Sequence, residues 1–265
     1  MKTSPPVRNS PAANNSPSMI KLIPVHNPPR CSIVIPVYRE QENINICLQN
    51  FSRLRGIADS EVVVVDGGQG STLQAIGRRE FPFRLVEIVS ERGRGAQLNA
   101  GAEAASSPCL VFLHVDTVLP EKGLDLVIRT LKHYDAGAFA LGVIGAGGLF
   151  NTWLAYVNGR KRLSFTPYGD QAIFMTRDTF LRVGGFAQIP IMEDVAMTDR
   201  LKREGARLKL LHSKVLTSAR RWQRSGYLVN FVRNTALFAL YRLGVSPWIL
   251  AGYYRHNSDK TSKIK

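Results

Sequence analysis

The side chains best able to handle a charged ligand stand just after runs of apolar, β-branched residues. Asp66 follows Glu61-Val62-Val63-Val64-Val65, and His114-Val115-Asp116 closes the run that begins at Leu110. Arg92 and Arg94 follow a third run, Leu85 to Val89. Short runs of this kind read as strands buried on both faces, and open parallel sheets bind ligands at the carboxyl ends of their strands. His114-Val115-Asp116 ends the strand from Leu110, so His114 and Asp116 share a face and Val115 packs behind them, because side chains two apart on a strand point the same way. A carboxylate beside an imidazole is half of a metal site. Plainer roles compete. Asp66 before Gly67-Gly68 also fits a turn residue, His114 a hydrogen-bonded packing residue, and Arg92 and Arg94 solvated surface charge.

The elements that must position these residues follow a βαβ rhythm. Ser32 to Val37 is the first strand, and Ile44, Cys47, Leu48 and Phe51 then fall on one face of a helix. Helices over Gly95 to Ala105 and Lys122 to His133 alternate with strands at Leu110 to His114 and Ala138 to Val143. The rhythm changes at the glycine-rich stretch from Gly142 to Gly148. Beyond it the pattern predicts a helix around Trp153 to Tyr156, a turn at Pro167-Tyr168-Gly169 and a short strand from Ala172 to Met175. Helices near Asp178 to Val183 and Asp194 to Glu204 follow, then strands near Leu208 to Leu211 and Val215 to Ser218. Tyr168-Gly169-Asp170-Gln171 fits a ligand loop or a structural turn equally. Asp194 opens a helix, where an acid alone reads as a cap or a dipole partner.

Composition narrows the partners. A formal charge of +15 on 265 residues calls for something anionic. The basic residues are scattered apart from short clusters such as Arg160-Lys161-Arg162 and Arg220-Arg221, and no nucleic-acid-binding module is present, so DNA and RNA are disfavoured. The turn after the first strand, Pro36-Val37-Tyr38-Arg39-Glu40, contains no glycine, which argues against a dinucleotide site. Gly93-Arg94-Gly95 imitates that fingerprint, but Leu98 stands where the third glycine belongs, and a P-loop is absent. Cys31, Cys47 and Cys109 are widely spaced within apolar segments and read as buried thiols of a reducing, cytoplasmic setting. Residues 1–30, rich in Pro, Ser and Asn, read as a disordered tail. Tyr227 to Tyr254 is apolar but interrupted by Arg233, Arg242 and Pro247, which predicts packing helices rather than a membrane span. Peripheral contact with a membrane surface through these C-terminal helices stays open.

Taken in order, Ser32 to Glu40, Val64-Val65-Asp66-Gly67-Gly68, Gly93 to Gly101 and Phe112 to Thr117 resemble the nucleotide half of family 2 glycosyltransferases. Gly184-Gly185-Phe186, Glu193-Asp194 and Arg220-Arg221-Trp222 extend the resemblance to the subgroup associated with arsenosugar biosynthesis. It covers nearly everything from residue 31 onward. The resemblance implies a GT-A fold of α/β class: a Rossmann-like half with a mixed, mainly parallel sheet (31–118), then an acceptor half with C-terminal helices (119–265), in one domain spanning 31–265. It implies an inverting transferase moving a sugar from a nucleotide-sugar donor, typically uridine-linked, to a hydroxyl acceptor that is small or lipid-linked.

Carried over, it places Pro36, Tyr38 and Glu40 around the base and ribose, Asp66 as hydrogen-bond acceptor from the base, and Arg92 or Arg94 at the diphosphate. Val115 lies in the donor segment, and Asp116 binds the divalent cation. His114 departs from the family pattern, where an acid is usual, and this favours Mn2+ over Mg2+, since the harder ion prefers oxygen ligands. Asp194, with Glu193 beside it, matches the general base. Arg221 and Trp222 match a motif at the diphosphate and acceptor, although Trp222 also fits a core aromatic. A nucleotidyltransferase would need a glycine-rich loop after the first strand, and a non-catalytic nucleotide or polyanion binder would read His114 as a lost metal site.

Overall fold

In the computed structural model, residues 28–77, 80–144, 158–159, 166–218 and 227–253 are described. Strand β2 (Glu61–Asp66) is buried along its whole length, as a run of four valines requires, since it has no polar face to turn toward water. It pairs in parallel with β1 (Ser32–Val37) on one side and β3 (Arg84–Val89) on the other. β3 is the edge and shows it, with Arg84, Glu87 and Val89 exposed. Beyond β1 the sheet continues with β4 (Cys109–Phe112) in parallel, then turns antiparallel at β7 (Phe174–Thr176). β6 (Ala136–Ile144), β8 (Leu208–Ser218) and β5 (Thr117–Val118) complete an eight-stranded order β3-β2-β1-β4-β7-β6-β8-β5.

Strand alternation divides the core. Ile33, Ile35 and Val37 face a layer with Ile44, Leu48 and Phe51 of α1 (Gln41–Phe51) and Leu124 and Val127 of α3 (Gly123–Leu131). Val34, Val63 and Val65 face the other side, against Leu98 and Ala102 of α2 (Arg94–Ala104). Phe180 of α4 (Arg177–Arg182) and Met197 and Leu201 of α5 (Glu193–Arg203) share that second layer. Helices therefore cover both faces, the arrangement a parallel sheet needs.

The two ends of the sheet differ. At its amino end the buried carboxylate of Glu61 accepts hydrogen bonds from Ser32 Oγ (2.5 Å), from the Ser106 N–H (2.5 Å) and from Ser106 Oγ (2.9 Å). There too the Sγ atoms of Cys31, just before β1, and Cys109, at the start of β4, lie 3.0 Å apart, a proximity their sequence spacing hides. All three cysteines are free and buried, as expected.

Three sequence expectations need correction. β4 ends at Phe112, so His114 and Asp116 lie in a turn closed by a Thr117 N–H to His114 C=O bond of 3.0 Å, and strand alternation does not decide where they point. Residues 208–218 form one strand rather than two, because a register shift opposite Ala138 and Ala140 absorbs the irregularity. The short strand runs over Phe174–Thr176, displaced from Ala172 to Met175. The expectations for residues 1–27, for a helix at Trp153 to Tyr156, and for Arg221 and Trp222 fall outside the described residues.

α2 lies against β1 and β2 only because Gly101 has no side chain. A Cβ there would stand 2.3 Å from Val34 Cγ1 and 2.8 Å from Val65 Cγ2. Overpacking of this kind costs about 1–3 kcal/mol, which outweighs the gain of about 1 kcal/mol that alanine brings to a helix. Gly101→Ala is expected to lower the urea midpoint without changing the slope. An unchanged or raised midpoint would show that this packing is loose.

Candidate active site

At the carboxyl ends of β1 and β2 the chain builds a shelf. Gln97 of α2 is buried, and its Nε2 donates to the carbonyls of Val37 (2.7 Å) and Val65 (2.9 Å), tying the two strand ends together. Asp66 is fully buried, and its carboxylate accepts from the backbone N–H of Gly68 (2.6 Å) and Thr72 (2.7 Å). It therefore shapes the loop that follows β2, the work of an Asx turn. Thr72 Oγ1 in turn accepts from the Glu40 N–H (3.2 Å), and Glu40 Oε2 accepts from Asn43 Nδ2 (2.7 Å) at the start of α1. The partly buried Tyr38 ring carries two guanidinium groups, Arg92 at 4.3 Å and Arg39 at 5.3 Å from its centroid. An aromatic face holding arginines above it is a natural place for an anionic ligand. Pro36 sits beside it, half-buried and paired with Val65.

A second group of residues gathers around the start of α5. Glu193 is buried, and its Oε1 accepts from Arg94 Nη1 at 2.7 Å, joining the first turn of α2 to the first turn of α5. Asp194 Oδ2 accepts from the Gly169 N–H at 2.6 Å, and Oδ1 from the Val195 N–H at 2.7 Å. Gly169 is pressed against the His114 ring: a Cβ on it would lie 2.9 Å from Nε2. Arg94, His114, Gly169, Glu193 and Asp194 line a small cleft whose remaining wall is Leu98, Phe112, Ile173 and Phe186. Burial in this apolar surround, and then the negative charge of Glu193, push the Asp194 carboxyl up to about 6. The two N–H donors and Arg94 pull it down, and burial prevails. Burial and the same carboxylate also push the neighbouring Tyr168 up to about 12.

The sequence motifs now have mechanical meanings. In Gly93 to Gly101, Arg94 reaches Glu193 and Gln97 clamps the strand ends. Asn99 exchanges hydrogen bonds with the Phe186 backbone, Nδ2 to the carbonyl at 2.9 Å and the N–H to Oδ1 at 2.8 Å. Gly185, at φ +68°, has no room for a Cβ, which would meet Asn99 Oδ1 at 2.8 Å. Gly184-Gly185-Phe186 is thereby locked to α2. The sequence placed Gln97 and Asn99 inside a motif and Gly169 inside a ligand loop or turn without giving any of the three its own role. Polar side chains at Gln97 and Asn99 in a helix face that must pack on a sheet were the available signal, and what Gly169 faces lies in distant segments.

Val115 packs against the larger apolar cluster, as expected. Asp116 is partly buried, and its charge, with that of Glu40, adds to burial in pushing the Cys47 thiol up to about 12. The charge of Asp116 is thus felt at Cys47 of α1, while His114, two residues earlier, lines the Asp194 cleft. Among the described residues no group of three or more His, Cys, Asp and Glu side chains could hold a metal ion. The donor set suits a cation that takes most of its ligands from a bound phosphate, as Mg2+ and Mn2+ do in nucleotide sites. Thr117 Oγ1, beside Asp116, is buried without a hydrogen-bond partner, which leaves an oxygen available at this turn.

Residues 32–189, more than half of the chain, match the family model described as glycosyl transferase family 2. Glycosyltransferase AglE of Haloferax volcanii is 30% identical over 176 residues, 63% of this chain and 55% of that protein. A poly-beta-1,6-N-acetyl-D-glucosamine synthase of Staphylococcus aureus is 25% identical over 104 residues, 38% of this chain and 25% of that one. The chain thus spans about half of the first relative and a quarter of the second. Among solved structures, S. aureus TarS 1-349 in complex with UDP superposes with a TM-score of 0.58 at 18% identity, over 71% of this chain and 60% of that one. The mannosyltransferase PcManGT from Pyrobaculum calidifontis, in complex with GDP-Man and Mn2+, does so with 0.59 at 17% identity, over 80% and 65%. These likenesses identify the architecture as the GT-A fold. The family match runs through the strand-end acids Asp66 and Asp116 and over more than half of the chain, and on it the chain belongs to glycosyl transferase family 2.

Proposed function

We propose that the chain transfers a sugar from a uridine diphosphate donor to an acceptor hydroxyl in one inverting displacement, with Asp194 as general base. The observation that carries this reading is the Asp194 carboxyl itself, lining an apolar cleft and poised near 6. A base must be ionised at working pH yet basic enough to accept a proton as the bond forms, and a value in this range serves both needs. Its oxygens are held by Gly169 and Val195, so the carboxylate keeps its aim while lone pairs remain for an incoming hydroxyl. As the hydroxyl oxygen attacks the anomeric carbon, its proton passes to Asp194 and the bond to the diphosphate breaks on the opposite side. Glu193 acts on Asp194 by charge and holds Arg94.

The shelf of Pro36, Tyr38, Glu40 and the loop shaped by Asp66 is the assigned seat of base and ribose, and Arg92 above Tyr38 faces the diphosphate. Relatives bound to UDP and to GDP-Man support a nucleoside diphosphate sugar as donor class. Asp116 would hold the divalent cation, Mn2+ in preference to Mg2+, with His114 beside it, and such an ion supplies charge neutralisation on the leaving diphosphate. In this reading residues 31–118 form the donor half and 119–265 the acceptor half, the acceptor being a small or lipid-linked hydroxyl compound. Arg221 and Trp222 are assigned to the acceptor side by their motif alone.

Transfer is expected to rise with pH through about 6 and level off above it, because the base works ionised. Glu193→Gln removes a neighbouring negative charge and frees Arg94, and both changes lower the Asp194 pKa, so the rising limb should move to lower pH. A limb that stays in place would assign the titration to another group. Asp194→Asn is expected to lower transfer by about 10^2- to 10^4-fold while thermal stabilisation by UDP persists. Full transfer by that variant would remove the assignment. Mn2+ should enhance stabilisation of the native protein by UDP, and Asp116→Ala should abolish the enhancement while leaving metal-free binding. A panel of nucleotide sugars assayed for donor hydrolysis then names the sugar.

A further inference from the structure

The C-terminal helices carry their apolar residues on the wrong side for a packing role. In α6 (Tyr227–Arg242), Val232 is 56% exposed, and Ala236 and Ala239 are exposed with it. Leu243, just past the helix end, is 81% exposed. The spacing 232, 236, 239, 243 is one stripe of a 3.6-residue period, and this stripe faces water while Leu237 is turned inward. α6 stops in a left-handed glycine cap: Gly244, at φ +88°, donates to the Tyr241 carbonyl, and the Val245 N–H to that of Leu240. A second helix, α7 (residues 247–253), buries Leu250 and Ala251 and exposes Trp248 (63%), Ile249 (56%) and Tyr253 (65%) on its other face.

Soluble proteins do expose single apolar residues, but two successive helices with a continuous exposed stripe and an aromatic pair mark a docking surface. Charge selects the occupant. Between residues 219 and 265 the sequence carries nine arginines and lysines against a single acid, Asp259. A second copy of this chain would bring two such segments together and repel. An anionic bilayer attracts them. Trp and Tyr also settle at the boundary of headgroups and acyl chains, where an apolar ring with a polar edge is stable. No helix among the described residues is long and apolar enough to cross a membrane.

We propose that the face formed by Val232, Leu243, Trp248, Ile249 and Tyr253 docks in the plane of an anionic lipid surface, apolar side inward, with the net positive charge of the C-terminal sequence favouring the encounter. The docking needs neither donor nor catalysis, so it stands or falls separately from the transfer reaction. If the acceptor is lipid-linked, the surface also brings the cleft to its substrate.

The test is co-flotation of the full chain with vesicles of phosphatidylcholine alone or with 30% phosphatidylglycerol, the donor site being followed in parallel by thermal stabilisation with UDP. Binding is expected to vesicles containing phosphatidylglycerol, to weaken in high salt, and to fall about tenfold or more in a Leu243→Glu, Trp248→Glu double variant that UDP still stabilises. Flotation unchanged in the double variant would overturn the docking face, leaving charge alone to explain it. No flotation with either vesicle would overturn the proposal. So would a concentration-dependent dimer in sedimentation that the same substitutions dissolve, since it would assign the face to a second copy.

Discussion

The cleft is organised around one peptide unit: the Gly169 N–H donates to Asp194 Oδ2, and the His114 ring packs against the same glycine. His114 follows β4, Gly169 precedes β7, and Asp194 opens α5, so three segments distant in sequence converge on one peptide unit. Any side chain at position 169 would drive into His114 Nε2 at 2.9 Å and part the carboxylate from its donor. Because β4 and β7 are themselves paired, the sheet fixes this convergence rather than a mobile loop. The distance between the cleft-lining carboxylate and the turn carrying Asp116 is thereby set by backbone geometry, which is the kind of rigidity that positioning catalysis requires.

The acids of this chain show how environment sorts one functional group into different roles. Glu61 and Asp66 sit at opposite ends of β2, both fully buried. Each is surrounded by donors, hydroxyl and backbone for Glu61, backbone for Asp66, and each serves the architecture. Asp194 has donors too, yet a second carboxylate follows from Glu193 and an apolar wall from Leu98, Phe112, Ile173 and Phe186. Burial and like charge together outweigh the donors, and the carboxyl is pushed into the range of a useful base. The Arg94 bond to Glu193 tempers the repulsion between the two acids, so the pair can share the first turn of a helix whose dipole also favours negative charge.

The sequence was most legible where composition leaves a chain little choice. The valine run of β2, the helical spacing of Ile44, Leu48 and Phe51, and the strand-end positions of Asp66 and Arg92 could be placed because each follows from local periodicity. What escaped depends on contacts between distant segments. His114 and Asp116 look like strand alternation, but the chain leaves β1 after Leu113 and turns to reach β5, a two-residue strand too short to leave any pattern. Glycine at 169, 101 and 185 is needed for what lies opposite it, which no local window contains. The exposed stripe of α6 is a different case: its periodicity is plain, but only the three-dimensional structure says which face is covered.

Strain and restraint divide along the sheet. All four described non-glycine residues with positive φ flank the functional end: Arg39 after β1, Gln69 in the Asp66 loop, Ala172 beside the Gly169 turn, and Met192 immediately before Glu193. A left-handed backbone costs such residues about 1–2 kcal/mol each, and such outliers collect where function fixes the geometry. The amino end supplies the restraint. There Arg177 spans the last turn of α2, its guanidinium donating to the carbonyls of Ala102, Ala105 and Ser107, while Glu61 binds β2 to Ser32 and Ser106. α2 is therefore anchored at its carboxyl end and presents its amino end, with Arg94, to the cleft. A helix clamped at one end and packed along its length on β1 and β2 through Gly101 can hold an arginine in position at the other, and the strained turns around the cleft persist because this frame leaves them no alternative.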